Sequence, residues 1–187
     1  MEVVKQSVTL ERVGVFSEDL KRRFEYTMER KEVEGKKILV ICINPASDNL
    51  LVVDTTTNYL MNNLFTMGFN TITLCNLFAE ITGKLQPANV GDNSDNMEFL
   101  KEVLKRNFDS ILLGFGNTFI GNKSVKEEKE KLFKLLKPYS KKLVELVDVQ
   151  EQYKGLKTIH PLFAGQRFSG NWKFRKFDLP KNKVQEG

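Results

Sequence analysis

Three short islands carry the side chains best suited to chemistry: Asn44 in Ile43-Asn44-Pro45, Asn76 in Leu74-Cys75-Asn76-Leu77-Phe78, and His160 in Thr158-Ile159-His160-Pro161-Leu162. Each polar group follows a strand-like stretch, so each is expected at a strand end, where α/β sheets build their clefts. His160 is the only histidine of the chain. Amides and an imidazole converging on one crevice can hold a planar heterocycle.

Each island has a chemical reading and a plainer one. Asn44 precedes a proline of fixed φ, and its amide can orient a water or bond a donor–acceptor pair on a ligand. It can equally cap the strand and bond its own loop. The primary amide of Asn76 suits the edge of a nucleobase, and Phe78 can stack on such a ring. The plainer alternative is a turn asparagine and a core phenylalanine. His160, pushed out of the helical region by Pro161, can donate a hydrogen bond to an oxygen that gains charge as a bond breaks. It can also be a structural histidine in a late loop.

The elements that must position these groups alternate along the chain. Phe24, Tyr26 and Met28 recur with the two-residue period of a half-buried strand. Lys37–Ile43 is apolar on both faces and reads as a central strand, ended by Pro45. A helix is expected from about Thr57 to Met67, stopped by Gly68, followed by the strand Thr71–Cys75. Thr82–Asp95 is rich in Gly, Pro, Asn and Asp and reads as a long loop able to cover a site. Met97–Phe108 and Lys123–Lys137 read as helices, Ser110–Leu113 and Lys142–Val147 as strands. The alternation predicts an α/β sandwich around a mostly parallel sheet. One domain is expected over residues 1–180, with a strand pair at about 20–43, a core at about 37–165, and a flexible tail at 181–187.

Near the C-terminus, the segment from Gln166 to Phe177 interleaves cations with aromatic rings. Arg167, Trp172, Lys173 and Arg175 can contact phosphates and stack on unpaired bases. The same pattern fits an edge strand whose aromatics pack inward. Gly114-Phe115-Gly116-Asn117 is a glycine-containing strand exit without a Walker lysine or dinucleotide spacing.

Composition narrows the classes. With 187 residues, 41% hydrophobic and 28% charged, the chain has the balance of a globular protein with a full core. A net charge of +5 gives only weak support for a polyanionic partner. One histidine and two scattered cysteines, Cys42 and Cys75, argue against a structural zinc site and for buried free thiols. No apolar stretch approaches the ~20 residues of a membrane helix, and no signal peptide is read at Met1–Lys5. A cytoplasmic protein without metal or cofactor is expected.

Taken together, Ile43-Asn44-Pro45-Ala46-Ser47-Asp48, Asp54-Thr55-Thr56, Asn76-Leu77-Phe78-Ala79, Gly116-Asn117 and His160-Pro161-Leu162 resemble a bacterial and phage domain family of unknown function, number one-six-four-three. The hallmarks of that family run Asn-Pro-Ser-Thr-Ala, Asp-Pro-Thr, Asn-Leu-Phe, Trp-Gly and His-Pro-Leu. The resemblance spans roughly residues 20–165. This chain departs from it at Ala46-Ser47, at Thr55 in place of proline, and at Phe115 in place of tryptophan.

A more distant resemblance, to the uracil-DNA glycosylase superfamily, lies in the order Asn44-Pro45, Leu74-Cys75-Asn76, Leu113-Gly114-Phe115-Gly116 and His160-Pro161. It implies a three-layer α/β sandwich in which Asn44 positions an attacking water, Asn76 reads the base edge and His160 stabilises the departing base anion. Leu162 stands where that superfamily has a serine. Pro45, Phe78, Gly116 and Asn117 would complete the pocket. The reading that follows is a glycosylase-like domain acting on a nucleobase in DNA or in a nucleotide. The alternative is a non-catalytic nucleotide or nucleic-acid binding module of phage or prophage origin.

Overall fold

A computed structural model describes residues 3–87 and 90–180; the expected tail at 181–187 lies outside the described residues. In chain order the elements are β1 (Leu10–Phe16), β2 (Arg23–Arg30), β3 (Lys36–Cys42), α1 (Thr55–Thr66), β4 (Phe69–Asn76), α2 (Ser94–Leu104), β5 (Ser110–Leu113), α3 (Lys123–Leu136), β6 (Leu143–Asp148), α4 (Pro161–Arg167) and β7 (Trp172–Lys176). A 3₁₀ segment, Lys137–Lys142, joins α3 to β6. Among the described residues no helix is long and apolar enough to cross a membrane.

The seven strands form one sheet in the order β1-β2-β4-β3-β5-β6-β7. β4, β3, β5 and β6 are parallel, whereas β1, β2 and β7 join by antiparallel pairing. The sheet is therefore mixed, which corrects the expectation of a mostly parallel one. The reason lies in the links. Residues 31–35, between β2 and β3, are too few for the crossover that parallel strands of one sheet require. β2 and β3 do not pair with each other; β4 lies between them, and β1 precedes the strand pair expected from sequence.

β3 is buried on both faces from Ile38 to Cys42, as its unbroken apolar run requires. Leu39 and Ile41 join a cluster with Leu100 and Val103 of α2 and with Leu132 and Leu136 of α3. Ile38, Val40 and Cys42 join a second cluster with Leu60 and Leu64 of α1 and Ala164 of α4. Each fully buried leucine, isoleucine or valine among them contributes about 1.5–3 kcal/mol.

One irregularity in β2 decides where a key side chain points. Phe16 pairs with Arg23 and Val15 with Glu25, so Phe24 is an extra residue, a β-bulge. Phe24 stacks on Phe99 of α2, 5.3 Å between centroids, and Glu25 pairs with Arg106 just beyond α2 at 2.8 Å. Both consecutive residues thus face the α2 side. Tyr26 and Met28 face the other cluster, so the two-residue alternation breaks at Phe24. Arg23 is turned to the α1 side, its guanidinium 5.1 Å from the Tyr26 ring.

Candidate functional site

β3 leads through α1 to β4 on one side, and β4 leads through α2 across to β5 on the other. A doubly wound sheet opens a crevice at such a reversal, outside the carboxyl ends of its strands. There the loops after β3, β4 and β5 and the residues entering α4 enclose a cleft of about 510 Å³. Asn44, Asn76, Gly116 and His160 all line it, together with Arg23, Asp54, Thr82, Phe115 and Phe119.

The Asn44 amide is anchored. Its Nδ2 donates to the carbonyls of Pro45 at 3.0 Å and Thr82 at 2.7 Å. Two carbonyl partners fix which side-chain atom is nitrogen, and among the described residues Oδ1 receives no donor. Thr82 belongs to the long loop after β4, and residues Thr82–Leu85 form one wall of the cleft.

Asn76 ends β4 and is 1% exposed, yet its Nδ2 has no hydrogen-bond partner among the described residues. Its carbonyl is held by Asn96 Nδ2 at 3.1 Å, and the next carbonyl, of Leu77, receives Asn93 and Asn96 at 2.9 and 3.0 Å. Two asparagines at the start of α2 thus clamp the backbone around Asn76 and leave its side chain to the cleft. An unsatisfied buried donor costs about 1–3 kcal/mol, so this one calls for an acceptor.

His160 is the N-cap of α4: its Nδ1 accepts the Leu162 N–H at 3.2 Å. The ring proton therefore sits on Nε2, where it is available as a donor. Burial lowers the pKa to about 4 against an opposing pull from Asp54, so the imidazole is neutral at pH 7. Gly116 makes room for it, and Gly114 for the proline that follows it. A Cβ on Gly114 would meet Pro161 Cδ at 3.0 Å, and one on Gly116 would meet His160 Cβ at 3.2 Å.

The loop before His160 is held under strain. Thr158, a buried β-branched residue, has φ +46°, a region that such residues avoid. Its N–H donates to Oε2 of Glu145 at 2.8 Å, and its carbonyl accepts from Gly116 at 2.8 Å. Glu145 is fully buried and also takes Lys157 at 3.2 Å and Arg175 at 3.0 and 2.9 Å. Arg175 further donates to the carbonyls of Lys154 and Leu156 at 3.1 and 3.3 Å. Its donors are spent on the loop that carries His160.

Arg23 and Asp54 were not singled out from sequence as site residues. Arg23 is 3% exposed; it donates to the Ser47 carbonyl at 2.8 Å, its Nε has no partner, and no carboxylate of the described residues pairs with it. Burial pulls its guanidinium below the usual arginine value, with Asp54 pushing back. Asp54 is the N-cap of α1, bonding Thr57 N at 2.8 Å and Thr57 Oγ1 at 3.1 Å. Cys42 also lines the cleft, but burial pushes its thiol up to about 12, so it is no nucleophile at neutral pH. Among the described residues no group of His, Cys, Asp and Glu is gathered to hold a metal ion.

The other expected residues lie elsewhere. Phe78 is 1% exposed in the α2-side core, and the rings at the cleft are Phe115 and Phe119. Pro45 is buried and does not line the cleft, and Asn117 donates to the Lys157 carbonyl at 3.1 Å. The cation–aromatic segment is α4 followed by the edge strand β7. Trp172 packs into the α1-side core, Arg175 faces Glu145, and Arg167 and Lys173 are exposed.

A family profile described as protein of unknown function (DUF1643) matches residues 23–162, and the chain belongs to that family. No curated protein matches it. The matched segment starts at Arg23 and ends at Leu162, both of which line the cleft.

Proposed function

We propose that this member of the DUF1643 family recognises a nucleobase in its cleft and hydrolyses the N-glycosidic bond that holds it. The observation that carries the reading is the unpartnered Nδ2 of buried Asn76, in the same cleft as a neutral His160 whose Nε2–H is free to donate. Two donors of this kind suit the carbonyl oxygens of a base edge. Phe115 and Phe119 supply apolar wall for the ring.

The chemistry would run as follows. Asn44, fixed through its Nδ2, presents Oδ1 to a water. The water oxygen attacks the anomeric carbon, and the C–N bond breaks with its electron pair passing to the base. Negative charge gathers on a base oxygen, where the His160 N–H stabilises it. The water's proton leaves to solvent. Donors already aimed where charge develops are the most effective contribution a protein makes to such a step. A three-layer, glycosylase-like architecture belongs to the same reading, and the exposed Arg167 and Lys173 would be the contacts of a DNA strand.

A second reading is a non-catalytic nucleotide or nucleic-acid binding module of phage or prophage origin. What favours it is that Asn44 and His160 both have structural tasks, one tying Thr82 and the other capping α4. Base release from oligonucleotides and nucleotides carrying uracil, hypoxanthine or modified bases separates the two. Release that is lost in both Asn44→Ala and His160→Ala, with folding intact, supports the glycosylase. Binding without release supports the module.

A further inference from the structure

We propose that Arg23 seats an oxyanion of the ligand, so that the cleft takes a free mononucleotide, its phosphate on Arg23 and its base on Asn76. The inference rests on the base-recognition reading above and narrows it to one substrate class. A guanidinium buried to 3% exposure without a carboxylate partner is rare, because desolvating an unpaired charge is costly. The fold has gone out of its way to put it there: the extra residue Phe24 turns Arg23 from the α2 face to the cleft.

Its neighbours offset the charge only in part, Asp54 acting on it through space without pairing with it. Ser47 offers one neutral carbonyl, Tyr26 offers a ring face, and Nε is left without a partner. Asp54, the carboxylate of the cleft, is engaged with Thr57 at the start of α1. A planar guanidinium in this condition matches the paired oxygens of a phosphate.

Depth separates a small ligand from a polymer. Arg23 lines the cleft with only 3% of its surface exposed, whereas the phosphates of an intact strand would lie across the rim. The bulk of the ligand must therefore enter with its anionic group. A cleft of about 510 Å³ lies within the range of small-molecule sites.

The test is titration calorimetry of nucleosides, the corresponding 5′-monophosphates, inorganic phosphate and a short single-stranded oligonucleotide. The proteins are the wild type, Arg23→Gln, Arg23→Lys and Asn76→Ala, each checked for folding by circular dichroism. The 5′-phosphate is expected to tighten binding of the preferred nucleoside by about ten- to a hundredfold. Arg23→Gln should erase that increment while still binding the nucleoside, and Arg23→Lys should restore part of it. If Arg23→Gln does not fold, the comparison of Arg23→Lys with wild type decides, since a point charge loses the paired geometry. Nucleoside binding that gains nothing from the phosphate overturns the role of Arg23 and leaves base recognition standing. Phosphate binding that needs Arg23, with no preference for any base, does the reverse. An oligonucleotide that outcompetes the monophosphate overturns the assignment to a free nucleotide.

Discussion

Gly116 and His160 are locked together: Gly116 donates its N–H to the Thr158 carbonyl at 2.8 Å, and a Cβ on Gly116 would stand 3.2 Å from the Cβ of His160. Gly116 also has φ +74°, where a side chain is strained whatever space surrounds it. Gly116→Ala is expected to cost about 1–3 kcal/mol and to weaken ligand binding by displacing the imidazole. Gly121→Ala is the control, because nothing lies within 4 Å of its would-be Cβ; it should stay within about 0.5 kcal/mol of wild type. Urea unfolding of the two variants checks both.

The half-buried imidazole makes stability depend on pH. Its folded pKa of about 4 lies below the ordinary value of 6.5, so the unfolded chain takes up a proton first as pH falls. Stability is full above about 6.5, declines toward 4, and below that changes no further on account of this group. The loss is on the order of 3 kcal/mol. Melting of wild type and His160→Gln across that window should show a shallower decline in the variant. Identical slopes would mean that the histidine is solvated.

Asn76→Leu should separate stability from function. Removing an unsatisfied buried donor while keeping the branched shape is expected to leave the melting temperature unchanged or to raise stability by about 1 kcal/mol. Base binding should disappear. A variant that is strongly destabilised would show instead that the amide has a partner within the fold.

Glu145→Gln is predicted to loosen the loop that carries His160. It removes the charge that gathers Arg175, Lys157 and the strained Thr158 N–H, at a cost of about 2–3 kcal/mol given that both cations are partly exposed. Faster proteolysis between residues 149 and 158, together with a shifted imidazole resonance, is the expected signature.

Much of this was legible in the sequence because it rests on short-range rules. The unbroken apolar run of β3, the spacing of Leu60 and Leu64 in α1, and the stop at Gly68 all follow from local periodicity. Asn44, Asn76 and His160 could be found because polar residues at the ends of apolar strands stand out, and the cleft does bring them together. What escaped depends on pairing between distant segments. Strict alternation from Tyr26 and Met28 would send Arg23 to the α2 side, and only the register against β1 reveals the bulge that reverses it. Likewise Trp172 and Arg175 look like a nucleic-acid surface until β7 pairs with β6, which buries the ring and brings Arg175 opposite Glu145. The mixed sheet was hidden for the same reason: strand direction is set by links and partners, not by the strands' own residues.

The cleft joins Arg23, near the start of the family match, to His160, near its end. On the ribosome the guanidinium is made early and the imidazole late. Until α4 and the residues before it have emerged, a nascent chain holding β1 to β6 lacks the wall of the cleft that His160 and Leu162 form. On the proposed reading, ligand capture therefore needs the segment that carries His160 and Leu162, and a fragment ending before Thr158 should fail to bind even where its strands have already paired.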